Sequence, residues 1–203
     1  MTRRLLQLYA GLALYAVSMA FFVRGRLGVM PWDVLHQGLI RRLPISLGTM
    51  SIVVAGVVLL AWIPLRQRPG VGTISNVVVI GVVVDAVLAV LPAPAALGWR
   101  VSFTLLGVLL NAVATAAYLG ARMGPGPRDG LMTGLVARTG WPVRRVRTAI
   151  EVTVVVTGWL LGGNFGPGTV FYALTVGPLV QPLLPLLAAP DPRRRVLVGA
   201  DAA

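Results

Sequence analysis

Two aspartates of this chain stand in matching Pro-x-Asp motifs. Pro31 and Asp33 recur 96 residues later as Pro127 and Asp129. An aspartate after a proline turn can accept hydrogen bonds from the first N–H groups of a helix, which predicts that each one is an N-cap. A helix broken inside a membrane could instead present its N-terminus to an anionic or polar group. Both interpretations place a short helix directly after each motif.

A binding site built from these broken helices would include the residues around them. They are three arginines and two glycines of the second loop: Arg26, Arg122, Arg128, Gly124 and Gly126. Gly and Pro at such a break are tolerated only where protein buries the backbone or water reaches it. The pattern therefore predicts a polar pathway for a substrate or ion at these positions.

Three other ionisable residues are candidates. Asp85 lies within an apolar run, where an acid is energetically expensive and marks a pathway, unless it sits near the interface beside an arginine such as Arg100. Its counterpart in the repeat is Gln181. His36 could relay protons or simply be hydrogen-bonded. Glu151 follows Arg147 by one helical turn, which favours an ion pair.

The composition places these residues in a membrane. Of the 203 residues 57% are hydrophobic and 12% are charged, and the mean hydropathy is +0.84. Six apolar runs come close to the roughly 20 residues that cross a bilayer as helix. They are residues 5–23, 47–65, 73–91, 101–119, 143–161 and 169–189. We therefore expect an all-α polytopic bundle whose first partner is the lipid bilayer.

The 96-residue offset extends over most of the chain. It divides the sequence into a first membrane repeat (1–96), a second (97–190) and a basic cytoplasmic tail (191–203) that we expect to be flexible. Because residues 5–23 correspond to 101–119, the first run is a retained span and not a signal peptide.

Each repeat reads as three spans and one short helix, at about 34–42 and 130–138. An odd number of spans inverts the second repeat relative to the first. If the short helices crossed the membrane, the repeats would be parallel. Under both alternatives the arginines place both termini in the cytoplasm. We favour six spans plus two half-helices, in the inner membrane of a bacterium.

Several classes of protein are disfavoured. Cys is absent and there is one His, so we expect no metal site and no cofactor. No nucleophile motif indicates an enzyme. The arginines are grouped between apolar runs, not on one folded face, so no nucleic-acid partner is expected. A small solute, and optionally a second copy of the chain, remain as partners.

Residues 27–38 and 124–132 carry a family resemblance. The segments Leu-Gly-Val-Met-Pro-Trp-Asp-Val-Leu-His-Gln-Gly and Gly-Pro-Gly-Pro-Arg-Asp-Gly-Leu-Met resemble the YczE group of bacterial integral membrane proteins, related to the YitT-type family. The resemblance implies a multi-pass inner-membrane protein, in a family whose function is uncharacterised.

The function that these observations favour is transporter-like, with a polar site between the two repeats. A substrate-binding membrane subunit that depends on a separate ATPase is one alternative. A membrane regulator or scaffold that transports nothing is another.

Overall fold

The computed structural model describes residues 1–189, and these residues form eight helices. The predicted basic tail at 191–203 lies outside the described residues. The helices, in chain order, are α1 (Thr2–Gly25), α2 (Pro31–Ile40), α3 (Leu47–Leu65), α4 (Val71–Val90), α5 (Leu97–Gly120), α6 (Pro127–Thr139), α7 (Val143–Leu160) and α8 (Pro167–Leu187). The predicted all-α membrane bundle is confirmed.

Five of these eight helices are long and apolar enough to cross a membrane: α1, α3, α4, α5 and α8. The 18-residue α7 carries Arg144, Arg145, Arg147 and Glu151, which make it more polar than its counterpart α3. With 10 and 13 residues, α2 and α6 extend only about 15 and 20 Å at 1.5 Å per residue, about half to two-thirds of the hydrocarbon thickness.

Hydrogen bonds between helix ends show that α1 and α5 run in opposite directions. Arg100, at the start of α5, donates to the carbonyl oxygens of Gly25 and Arg26 at the end of α1, at 3.0 and 2.9 Å. At the other end, Gln7 donates to the carbonyls of Ala117 and Leu187. We call the face that holds the start of α1 and the end of α8 the N-terminal face, and the other the opposite face.

The two short helices enter the bundle from different faces. The loop before α2 brings Met30 to Asn111 in the interior, at 3.5 Å, and α2 then runs to the opposite face. The end of α6 lies at the N-terminal face, where Arg138 donates to the carbonyl of Pro64 at 2.9 Å. Both helices therefore begin near the middle of the bundle and end at different faces.

Both short helices begin three residues earlier than the sequence interpretation required. Proline at the first helical position fixes φ near the helical value and lacks only an N–H that would be unpaired there. The N-caps are consequently Met30 and Gly126, with Pro31 and Pro127 next. The predicted N-cap role of Asp33 and Asp129 is wrong, and both are third residues of their helices.

Two loop contacts recur at the 96-residue offset. The amide of Gly72 donates to Met123, and that of Gly168 donates to Leu27, both at 2.8 Å. Each Gly-x-Gly-Thr turn of one half thus supports the loop before the short helix of the other half. These loops approach closely because Gly28 and Gly124 have φ of 115° and 123°, values that favour glycine.

Gly124→Ala is expected to lower the midpoint of thermal unfolding in detergent. The new Cβ would lie 3.0 Å from Oγ1 of Thr73 and 3.1 Å from Cα of Gly70, in addition to about 1–2 kcal/mol for a side chain at positive φ. Gly140→Ala is the matched control, because Gly140 also has positive φ but opens onto free space. Equal loss of stability in the two variants would show that the loop contact is unimportant.

Candidate functional site

The first residues of the two short helices meet at a central cavity of about 310 Å³. Pro31 and Trp32 of α2 lie on its wall, as do Pro127, Arg128 and Asp129 of α6. Trp32 and Arg128 hold equivalent positions in the two halves, and the guanidinium lies 4.9 Å from the indole centroid. A cation at this distance from an aromatic face is stabilised by the ring quadrupole.

Polar side chains from six helices complete the cavity wall. They are Tyr15, Ser51, Asn76, Thr115, Tyr118, Arg147, Glu151, Tyr172 and Gln181. On α7, Nε of Arg147 donates to Glu151 at 2.9 Å, so the predicted ion pair is present and both partners face the cavity. Most of these residues lie in the halves of their helices nearer the N-terminal face, so the cavity extends toward that face.

Asp129 is held against the wall by its neighbours. The Tyr118 hydroxyl donates to Oδ2 of Asp129 at 2.8 Å. On the other side of α6, Nε1 of Trp62 donates to the carbonyl of Pro127 at 3.0 Å, and Gly130 fits directly against the Trp62 ring. Helix α3 therefore fixes the first turn of α6, which carries both Arg128 and Asp129.

Asp33 occupies a different environment from Asp129. Its side chain is fully buried, and Oδ1 lies 3.0 Å from Nδ1 of His36, which is also buried. Within residues 1–189, Oδ2 of Asp33 has no hydrogen-bond partner. The repeat partners explain the difference, because Phe22 replaces Tyr118 in the first half and Met132 replaces His36 in the second.

A second polar cluster lies deeper between α1, α5 and α8. Asn111 donates from Nδ2 to Ser18 at 2.9 Å and accepts at Oδ1 from the Tyr172 hydroxyl at 2.9 Å. Asn111 is completely buried. A carboxamide in an apolar span could have been singled out from the sequence, whereas its partners come from distant helices and could not.

The other predicted site residues, apart from Gly126, lie outside the cavity wall. Arg26 and Arg122 are exposed, each with φ of 54°, where α1 and α5 end. Gly124 supports the loop contact described above, and Gly126 is part of the wall. Asp85 accepts from the Ser46 hydroxyl and from the Gly48 amide at 2.8 Å, so it binds the start of α3 and not Arg100.

Asp85 and its partners at the start of α3 close the bundle on the opposite face. Gly48 packs directly on the backbone of Gly81, which lets α3 and α4 approach closely there. The equivalent positions in the second half are Arg144, Gly177 and Gln181. Within the described part of the chain, α7 and α8 lack the packing that joins α3 to α4, and Gly177 faces open space.

In the part of the chain that the structure describes, no group of three His, Asp or Glu residues could hold a metal ion. The cavity wall offers guanidinium, hydroxyl and amide donors, beside carboxylates that are hydrogen-bonded or ion-paired.

Comparisons with known proteins agree with the membrane architecture. A family model described as a family of unknown function, DUF6198, matches residues 2–184. An uncharacterized protein of Haemophilus influenzae is 38% identical over 177 residues, covering 87% of this chain and 81% of that protein. The uncharacterized membrane protein YczE of Bacillus subtilis is 33% identical over 180 residues, covering 87% and 83%. No solved structure matches the chain. The chain is thus a membrane protein of the DUF6198 family.

Proposed function

We propose that this protein is a membrane transporter that binds a small solute with an anionic group between two inverted repeats. The observation that carries the proposal is the cavity at which both half-helix N-termini meet, with Arg128 on its wall. Two positive helix ends and a guanidinium favour a carboxylate or phosphate-like group. Within residues 1–189, Arg128 makes a cation–π contact and no ion pair, so its charge is available to a solute.

The difference between the halves supports alternating access. The α3–α4 contact closes the opposite face, while the equivalent α7–α8 contact is open toward the N-terminal face. If the repeats are inverted, separation of α3 from α4 and approach of α7 to α8 would open the cavity to the opposite face. The proposed state is then the one open toward the N-terminal face, which the arginine distribution predicts to be cytoplasmic.

Ligand-dependent stabilisation tests this function. The purified protein in detergent micelles would be heated with a panel of small carboxylates, phosphate esters and matched amines. We expect at least one anionic compound to raise the unfolding midpoint and to be taken up by proteoliposomes. Binding without uptake, together with an ATPase that co-purifies, would favour a substrate-binding subunit instead.

The inverted topology gives a separate prediction. Leu43 follows α2 and Thr139 is the last residue of α6, and the two are exposed residues at equivalent positions. Since the natural chain lacks Cys, single Leu43→Cys and Thr139→Cys variants provide one thiol each. A membrane-impermeant maleimide should label position 43 only from outside the cell and position 139 only from the cytoplasm. Labelling of both from one face would exclude inverted repeats.

A further inference from the structure

The pair Asp33–His36 lies behind the cavity, on the closed side of the bundle. Both side chains are on α2, one turn apart, and both are at most 1% exposed. Since α2 runs from the cavity toward the opposite face, His36 lies nearer that face than Asp33. The pair therefore lies between the cavity and the face that is closed in this structure.

Burial makes the charge of this pair energetically expensive. An ionised carboxylate removed from water must be compensated by hydrogen bonds or by an opposite charge. Asp33 has one such contact, from His36 to Oδ1, whereas Oδ2 has none within the described residues. A proton added to the imidazole converts the pair from a net negative charge to a neutral ion pair.

We propose that Asp33 and His36 together form a proton-binding site, and that the bound proton is coupled to the solute in the cavity. The coupling rests on the proposed transport function, whereas the proton site does not. When the pair is negative, it repels a solute anion and partly cancels the positive potential of Arg128. When a proton neutralises it, Arg128 attracts the anion more strongly, so proton and anion binding favour each other.

The charged and titratable groups around the pair are consistent with proton binding and anion binding that favour each other. Arg128 of α6 lies over the ring of Trp32, the residue before Asp33, and Tyr15 of α1 and Tyr172 of α8 line the same cavity. The packed helix α3 carries no titratable residue. The titratable residues of the packed helix α7 are Arg144, Arg145, Arg147 and Glu151, in the half nearer the N-terminal face. Arg128 is therefore the charged link between the pair and the solute.

The single histidine of the chain makes a direct test practical. Protein labelled with ¹⁵N-histidine, purified in micelles with a tag that contains no histidine, gives one imidazole spin system. We expect this signal to titrate reversibly while the protein stays folded. In Asp33→Asn the titration should move to lower pH by about one unit or more, because the neighbouring negative charge is lost. Asp85→Asn, a distant carboxylate-to-amide change, should leave it unchanged.

The outcomes separate the two parts of the proposal. A signal that does not respond to pH, or that titrates identically in Asp33→Asn, would overturn the proton site, and the wild-type titration alone suffices if the variant does not fold. For the coupling, stabilisation by an anionic compound from the panel should increase as the pH falls in the wild type and be independent of pH in Asp33→Asn. A pH-independent wild type would overturn the coupling. A titrating His36 with no bound anion from the panel would instead contradict the transport function.

Discussion

Replacement of Arg128 by Gln is expected to weaken the binding of an anionic solute about 10- to 100-fold. Hydrogen bonds to a charged group contribute about 1.5–3 kcal/mol, and about 1.4 kcal/mol corresponds to a tenfold change in affinity. Gln retains part of the side-chain length and one amide donor, so it removes the charge and the forked geometry with little loss of volume. The measurement is the concentration of solute that gives half-maximal thermal stabilisation.

Arg138→Gln is the matched control for this change. Arg138 lies at the other end of the same helix, is exposed, and donates to the carbonyl of Pro64. It should bind the solute as the wild type does, even if its unfolding midpoint shifts. Equal affinity of the wild type and Arg128→Gln would show that the guanidinium does not recognise the anionic group. Equal losses in the two variants would show that the helix, and not the charge, matters.

A second large effect is expected from two equivalent cysteine pairs. Ser46→Cys with Asp85→Cys joins residues that are in hydrogen-bond contact on the opposite face. Pro142→Cys with Gln181→Cys places cysteines at the equivalent positions, on α8 and at the start of α7, and these two helices lack such packing in the observed state. Under oxidising conditions the first pair should cross-link nearly completely. The second should cross-link only as the protein reaches its other state, and therefore more slowly.

The two cross-links should also exclude each other. In a protein carrying all four cysteines, closure of one pair should prevent closure of the other, because alternating access allows one open face at a time. Cross-linking of either pair should abolish solute uptake in proteoliposomes, and reduction of the disulfide should restore uptake. A rigid scaffold would cross-link only the first pair, whereas simultaneous formation of both would exclude the exchange of states.

The candidate site could be located only partly from the sequence. The repeat and the Pro-x-Asp motifs pointed to Pro31, Pro127, Arg128 and Asp129, all of which lie at the cavity. The roles of the two aspartates could not be separated, because these depend on Tyr118 and His36 and on the packing around each. Asp85 looked like a residue of the interior, yet it contacts the start of α3, because a helix position in an apolar run does not reveal which neighbour it faces.

Hydrophobicity and the 96-residue offset by themselves determined the helical membrane class and the order of long and short helices. These properties depend on local chain composition and on spacing along one chain. Only the tertiary structure decided that α3 and α4 pack closely together whereas their counterparts α7 and α8 do not. The α3–α4 contact requires Gly48 and Gly81 to meet across two helices, whereas the second half has Arg144 at the position of Gly48 and shows no equivalent packing of α7 on α8 in the observed state. Asymmetry of this kind arises from the fit of surfaces that are distant in sequence, so only the packed structure reveals it.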